Sequence, residues 1–205
     1  MRAGSKADLR SKLLAARREV PEALRRTEAE QLRNHLDRAV AGAQTVCAYL
    51  PVGSEPGSPE MLDALTALCE TVLLPVVQTT GDGTHLPLLW GRYERGALIA
   101  GPFGLREPVK PWLPAIAVAR AQVVLVPAVA VDRNGVRLGR GGGFYDRSLP
   151  FCAPGTRLIA VVRDREILDA LPHDPHDATM THALTPAGGV IPLGECRSPD
   201  GGSST

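Results

Sequence analysis

The period of the apolar positions changes several times along the chain. Leu9, Leu13 and Leu14 recur at helical spacing behind Ser5, so a helix over 5–18 with Ser5 as N-cap is predicted. A second helix is expected over 21–41, with Pro21 in its first turn and Gly42 at its end. The short apolar run Val46-Cys47-Ala48-Tyr49-Leu50 predicts a strand. Ser58-Pro59-Glu60-Met61 then opens a helix, with serine as N-cap and Leu62, Leu65 and Leu68 on one stripe. Val72 to Val77 is a second strand, and 86–90 suggests an edge strand after a turn-rich stretch at 78–85. Glycines and prolines at Gly101, Pro102, Gly104, Pro108, Pro111 and Pro114 make 101–114 an ordered loop rather than an element. Val123–Val126 is a strand, extended or followed by Ala128–Val131. Phe144 to Leu149 suits a short helix, Leu158–Val162 a strand and 165–171 another short helix. Strands alternating with helices imply an α/β chain whose mainly parallel, wound sheet is flanked by helices in a Rossmann-like manner. One domain over 1–193 is expected, with a Gly/Ser-rich tail at 194–205 expected to be disordered.

Composition narrows the partners more than the fold. The chain has 205 residues, 44% of them hydrophobic and 22% charged, which is enough to bury a core without staples. Its formal net charge is +1, so no global field draws it to nucleic acid or to an anionic membrane. Any phosphate binding must come from local placement of arginine and lysine. The four cysteines, Cys47, Cys69, Cys152 and Cys196, show no C-x-x-C or Cys/His ligand spacing, and read as free thiols of a reducing, cytoplasmic protein. The charged N-terminus does not look like a signal peptide, and no apolar run is long enough to span a bilayer.

Candidate chemistry concentrates in Val131-Asp132-Arg133-Asn134-Gly135-Val136-Arg137-Leu138-Gly139-Arg140-Gly141-Gly142-Gly143-Phe144-Tyr145-Asp146-Arg147, downstream of a buried-strand signal. Glycine lets the backbone take positive φ, so successive N–H groups can converge on one anion. Arg137 and Arg140 add positive charge there, and Asp146 offers a hard oxygen to a cation. The loop reads as a phosphate cradle with a metal ligand beside it. A surface loop is the bland alternative. No Gly-Lys-Ser/Thr closes it, so it is not a Walker A loop, and Phe144 breaks a dinucleotide fingerprint. Lys6 and Arg10 share a helix face, ordinarily a solvated one. Glu55 follows the first strand in a loop with Pro51, Gly53 and Pro56, a position where binding groups occur and where a solvated carboxylate is the commoner case. His173, Asp174, His176 and Asp177 match no defensible zinc spacing. Asp146 with Asp177 would suit magnesium, and an ordinary polar turn is the alternative for 172–177.

Several of these segments together resemble one family. Arg137-Leu138-Gly139-x-Gly141-x-Gly143-(aromatic)-Tyr145-Asp146 is similar to the signature of the 5-formyltetrahydrofolate cyclo-ligase (5,10-methenyltetrahydrofolate synthetase) family. Lys6-x-x-Leu9-Arg10, Tyr49-Leu50 with Glu55 and Ser58, Phe103-Gly104-Leu105-Arg106-Glu107-Pro108, Val126-Pro127, and Pro175-His176-Asp177 before Thr185 resemble its other landmarks in order. The resemblance implies conversion of 5-formyltetrahydrofolate and ATP to 5,10-methenyltetrahydrofolate, ADP and phosphate, with Mg²⁺ as cofactor. It also implies roles by position. Lys6, Arg10, Arg137, Leu138, Gly139, Arg140, Gly141, Gly142, Gly143, Phe144 and Tyr145 would bind ATP. Leu50, Glu55, Arg140, Gly141, Gly142, Gly143 and Phe144 would bind folate. Arg140 and Tyr145 would be catalytic, and Asp146 and Asp177 would hold Mg²⁺. A monomer is implied as well. Phe144 stands where many members have tyrosine, Gly142 where some have lysine, and Ser58 where threonine is common.

Two other classes of function stand beside this one. A non-catalytic relative of the same fold would bind folate or nucleotide without turnover. A sugar-phosphate isomerase on a related wound sheet would need a general base poised at carbon, for which the sequence offers no compelling candidate. An RNA-interaction module is disfavoured by the near-zero charge and by an aromatic content of 4%.

Overall fold

The computed structural model describes residues 5–172 and 178–194. The metal candidate Asp177, with His173, Asp174 and His176, lies outside the described residues, as does the expected tail beyond Gly194. Gly194 itself is tied to the body, its amide donating to the Arg133 carbonyl at 2.9 Å.

The helices are α1 (Lys6–Arg18), α2 (Glu22–Asn34), α3 (Leu36–Ala39), α4 (Glu60–Leu68) and α5 (Phe144–Ser148). The strands are β1 (Thr45–Cys47), β2 (Thr71–Val76), β3 (Leu89–Arg92), β4 (Leu98–Ala100), β5 (Arg106–Pro108), β6 (Trp112–Leu113), β7 (Val123–Pro127), β8 (Ala130–Asp132), β9 (Arg137–Leu138), β10 (Arg157–Val161), β11 (Ile167–Leu168), β12 (His182–Thr185) and β13 (Gly189–Pro192). Among the described residues, eight strands form the central sheet in the order β13-β12-β10-β7-β1-β2-β3-β6. The inner pairs β12/β10, β10/β7, β7/β1 and β1/β2 are parallel, and the outer pairs are antiparallel. The wound, mainly parallel sheet read from the sequence is therefore present, with an antiparallel strand added at one edge and an antiparallel pair at the other.

Both faces of the parallel strands are buried, as helices on both sides require. Val46, Val72, Leu74, Val123, Leu125, Ile159 and Val161 face the layer of α2, α3 and α4. Their strand neighbours Cys47, Leu73, Val124, Val126 and Ala160 point into the opposite cluster, where Ala117, Val118 and Leu149 cover them. The alternation is the two-residue period of an extended chain. A third cluster joins Leu9, Leu13 and Leu14 of α1 to Val129, Ala130 and Leu138 around β8 and β9, and so docks α1 beside the glycine loop.

Ser5 caps α1 with a reciprocal capping box: its hydroxyl accepts from the Asp8 amide at 3.2 Å, and Asp8 accepts from the Ser5 amide at 3.1 Å. Several local expectations change. The helix expected over 21–41 breaks at His35, whose ring turns to the Pro186 carbonyl (Nε2 at 3.1 Å). α4 begins one residue after Pro59, and Ser58 bonds the Glu60 carboxylate rather than an amide of the first turn. Leu68 leaves the expected stripe and is 46% exposed, whereas Leu62 and Leu65 are buried. The expected edge strand at 86–90 is β3, which is interior because β6 pairs with it. Within 101–114, β5 and β6 supply short paired segments. The helix expected over 165–171 is a 3₁₀ turn at Asp164–Glu166 followed by β11, which pairs with β8; this partner decides the conformation against local propensity. Among the described residues no helix is long and apolar enough to cross a membrane.

Candidate active site

Chain order reverses across the sheet at β1. From there the chain runs outward through β2 to β3, then returns to β7 on the other side of β1. The crevice beyond the carboxyl ends of strands at such a reversal is where wound sheets bind ligands. A cleft of about 540 Å³ lies there. Tyr49 and Glu55 enter it from beyond β1, Pro75 and Val77 from β2, and Pro127 and Ala128 from β7. One wall is the run from Arg137 to Asp146. Lys6, Arg10 and Arg17 of α1 form another, and His85, Leu88, Phe103 and Leu105 complete the rim.

The glycine loop is positioned from its start. Asp132, buried at the end of β8, accepts the amides of Asn134 and Val136 on Oδ1 and of Leu171 on Oδ2, each at 2.9 Å. That closes the tight turn into β9, which pairs with β8 and delivers Arg137 to the cleft. Arg10 Nε then donates to the Gly139 carbonyl at 2.7 Å, locking α1 to the loop. Gly141 and Gly143 have φ of 100° and 68°, conformations that side chains disfavour, and a Cβ at Gly143 would also lie 2.4 Å from Arg147 Nη1. Beyond the loop, α5 carries Tyr145 and Asp146 into the cleft.

Charge is arranged in pairs. Arg137, nearly buried, holds the half-exposed Asp146 carboxylate through Oδ1 and lies 5.6 Å from the Tyr145 ring centre. Across the cleft, Arg140 Nε meets Glu55 Oε1 at 3.0 Å, and Glu55 Oε2 accepts the Val52 amide at 3.0 Å. Burial raises the Glu55 carboxyl above the usual range, while the Val52 amide and the Arg140 and Arg17 charges pull it down. Burial, with Glu55 nearby, pushes the Tyr145 phenol far above the ordinary tyrosine range, so Tyr145 is protonated at neutral pH. Its Oη is buried and has no hydrogen-bond partner among the described residues.

Glu55 supplies a pH-dependent prediction. Its folded pKa exceeds its unfolded one, so the native state binds the proton more tightly. Ionised Glu55 therefore costs stability above its folded pKa, and the cost vanishes below the unfolded value of about 4.3. Glu55→Gln is expected to melt higher than the parent at pH 7.5, with the difference disappearing by about pH 4. Thermal melts across that range check it. An equal or lower melting temperature at pH 7.5 would show that the charge is not a burden.

The structure gathers Lys6, Arg10, Glu55, Arg137–Gly143, Phe144, Tyr145 and Asp146 around one cleft. Leu50 is placed differently: it packs against the core beside Tyr49 at the start of the Glu55 loop. Groups to which the sequence assigned no site role also face the cleft, Phe103 among them although it belongs to one of the family landmarks. His85 Nδ1 lies 2.6 Å from the Gly142 carbonyl, and its ring stacks on Phe144 at 4.1 Å. Phe103 is 69% exposed at φ 57°, a strained conformation for a side chain, and its ring stands 6.0 Å from His85. Arg17 is the third. Neither His85 nor Arg17 carries a local signal, although Arg17 shares the α1 face of Lys6 and Arg10. Glu107, in the Phe-Gly-Leu-Arg-Glu-Pro run, is structural: buried, it accepts the Val77 amide at 2.8 Å and ties β5 to the end of β2.

A sequence model of the 5-formyltetrahydrofolate cyclo-ligase family matches residues 2–186. The chain belongs to the 5-formyltetrahydrofolate cyclo-ligase family. A 5-formyltetrahydrofolate cyclo-ligase of Mycolicibacterium smegmatis is 56% identical over 189 residues, covering 92% of this chain and 97% of the relative. One from Escherichia coli K12 is 28% identical over 149 residues, 72% of this chain and 81% of the relative. The NMR structure of Aquifex aeolicus 5,10-methenyltetrahydrofolate synthetase superposes with a TM-score of 0.75 at 26% identity, covering 96% and 97% of the two chains. The cyclo-ligase from Mycolicibacterium smegmatis aligns over nearly the whole of both chains, so this member of the family is an enzyme of the ligase class, and the catalytic reading stands over the isomerase and RNA-binding alternatives.

Proposed function

We propose that this cyclo-ligase consumes ATP with Mg²⁺ and converts 5-formyltetrahydrofolate to 5,10-methenyltetrahydrofolate, ADP and phosphate. The observation that carries the reading is the convergence of Arg10, Arg137 and Arg140 on the 139–143 loop, opposite a buried carboxylate at Glu55. The formyl oxygen is a poor leaving group. It attacks the γ-phosphorus, and the bond to ADP breaks as the new P–O bond forms. N10 then bonds to the activated carbon, the C–O bond breaks, phosphate departs and N10 gives up its proton. Both steps need positioning and neutralisation of phosphoryl charge more than covalent help from the protein. Lys6, Arg10, Arg137 and the backbone of Leu138 to Gly143 hold the triphosphate. Arg140 exchanges Glu55 for the transferred group. Glu55, in the loop opened by Leu50, anchors the folate, and Phe144 packs against it. Tyr145, kept protonated, donates to oxygen at the reacting centre. In this reading the enzyme works as a cytoplasmic monomer.

Mg²⁺ suits the residues present. Asp146 puts a half-exposed carboxylate at the cleft with one oxygen engaged by Arg137, and magnesium takes one or two protein carboxylates plus phosphate oxygens. Asp146, with Asp177 from outside the described residues, would hold it, and it would neutralise phosphate charge. Asp146→Asn is expected to raise the Mg²⁺ concentration needed for half-maximal rate by at least roughly 10-fold. An unchanged titration curve removes Asp146 from the ligand set. The order of bond making is tested with substrate carrying ¹⁸O in the formyl group: the label should appear in phosphate, one atom per turnover. Unlabelled phosphate would rule out attack by the formyl oxygen.

A further inference from the structure

At the floor of the cleft lies an ion pair that phosphoryl transfer does not use. Arg17 is 1% exposed. Its Nε donates to Glu166 Oε1 at 2.7 Å, and its Nη2 to Glu166 Oε2 at 2.6 Å and to the Ala128 carbonyl at 2.7 Å. Its Nη1 is sealed from solvent and has no partner among the described residues, yet the side chain lines the cleft. Buried donors are rarely left unmade, so one in a cleft marks a position where a ligand supplies the acceptor. Glu166 already answers the charge of Arg17, so the free N–H groups offer direction rather than net charge. That suits a neutral acceptor better than a phosphate.

The position along α1 points the same way. Lys6, Arg10 and Arg17 fall within about 40° on one helix face, and Arg17 lies about 10 Å beyond Arg10 along the axis. Arg10 holds the glycine loop, where the phosphates belong, so Arg17 serves the other end of the cleft. There it stands close enough to Glu55 to act on its charge, and each Glu55 oxygen has one partner and can accept again. The same support holds both groups. Glu166 Oε2 accepts the Arg163 amide at 2.7 Å, and Arg163 Nη1 donates to the carbonyl of Ser54, next to Glu55, at 3.1 Å. The floor thus presents a fixed donor and a fixed carboxylate from one rigid network.

A pterin ring has the matching edge: the 4-oxo oxygen accepts, and the neighbouring ring N–H and amino groups donate. We infer that Arg17 Nη1 donates to the 4-oxo oxygen of the folate pterin while Glu55 accepts from the adjacent N–H groups, which makes Arg17 a specificity residue for the ring. The inference rests on folate being the substrate proposed above.

Affinity for 5-formyltetrahydrofolate and for its 4-amino-4-deoxy counterpart, in which position 4 turns from acceptor to donor and N3 from donor to acceptor, tests it without ATP. The parent protein is expected to favour the 4-oxo compound by at least about 10-fold, since a site built to bond a polar group rejects analogues that leave it unpaired. Arg17→Lys and the charge-neutral double variant Arg17→Gln/Glu166→Gln should each reduce that preference several-fold, leaving the part that Glu55 supplies at N3, with affinity for a non-hydrolysable ATP analogue unchanged. A purely structural Arg17 would weaken both folates alike, so an undiminished preference in either folded variant overturns the inference. Should neither variant fold, equal affinity of the parent for the two compounds overturns it. If the parent binds neither compound, the folate reading itself fails, which is a different result from lost discrimination.

Discussion

Arg140→Ala is expected to lower kcat by about 10²–10³-fold while leaving the fold intact, the loss typical of removing one donor that stabilises transition-state charge. The side chain is 49% exposed and meets Glu55 at 3.0 Å, so stability should change by no more than about 1 kcal/mol. Glu55 keeps the Val52 amide when the guanidinium is gone. The pairing also suggests how the site is poised. Arg140 neutralises a buried carboxylate, and in the proposed reaction it leaves Glu55 for the transferred group. Steady-state kinetics beside a thermal melt separate the outcomes. Near-parent kcat in a folded variant would remove Arg140 from the catalytic set. A lost kcat with a melting temperature lowered by tens of degrees would make its role structural.

Asp132→Ala carries the largest expected effect on stability. The carboxylate is buried and accepts three backbone amides, from Asn134, Val136 and Leu171. Alanine leaves all three donors without this partner, the Leu171 amide in a buried place and the other two in partly buried ones. The cost should be about 3–5 kcal/mol, or roughly 6–20 °C in melting temperature for a chain of this length. Asp132→Asn should fall between the two, because its oxygen can keep Asn134 and Val136 while its amide opposes the Leu171 N–H. Since this turn aims Arg137, what remains folded should also bind ATP more weakly. Thermal denaturation of the three proteins checks the order, and an Asp132→Ala protein as stable as the parent would contradict it.

Much of the site was legible because its residues lie close together in sequence. Arg137 to Asp146 forms one continuous wall, and glycines with arginines announce an anion site before any fold is known. Lys6, Arg10 and Glu55 are separate along the chain, and the family resemblance, rather than their spacing, assigned them. The parallel strands β1, β2, β7 and β10 were legible as unbroken apolar runs, which burial on both faces demands. What was hidden depends on distant partners. Arg17 and Arg18 look alike in a charged helix, and only contact with Glu166, 149 positions away, sets Arg17 apart. His85 sits in a turn-rich stretch and gains meaning from Phe144 and Gly142. The segment at 165–171 has helical composition, yet β8 offers it an edge to pair with. β12 and β13 are too short to stand out, and each is extended because the other and β10 are there.

The central claim is that this cleft couples ATP to ring closure on folate. The most direct measurement is absorbance at the methenyl-folate band after mixing the protein with 5-formyltetrahydrofolate, Mg²⁺ and ATP. A rise is expected only when both ATP and Mg²⁺ are present, with phosphate released in equal amount. No rise from a folded protein that binds folate would contradict the account and leave a non-catalytic folate-binding relative in its place.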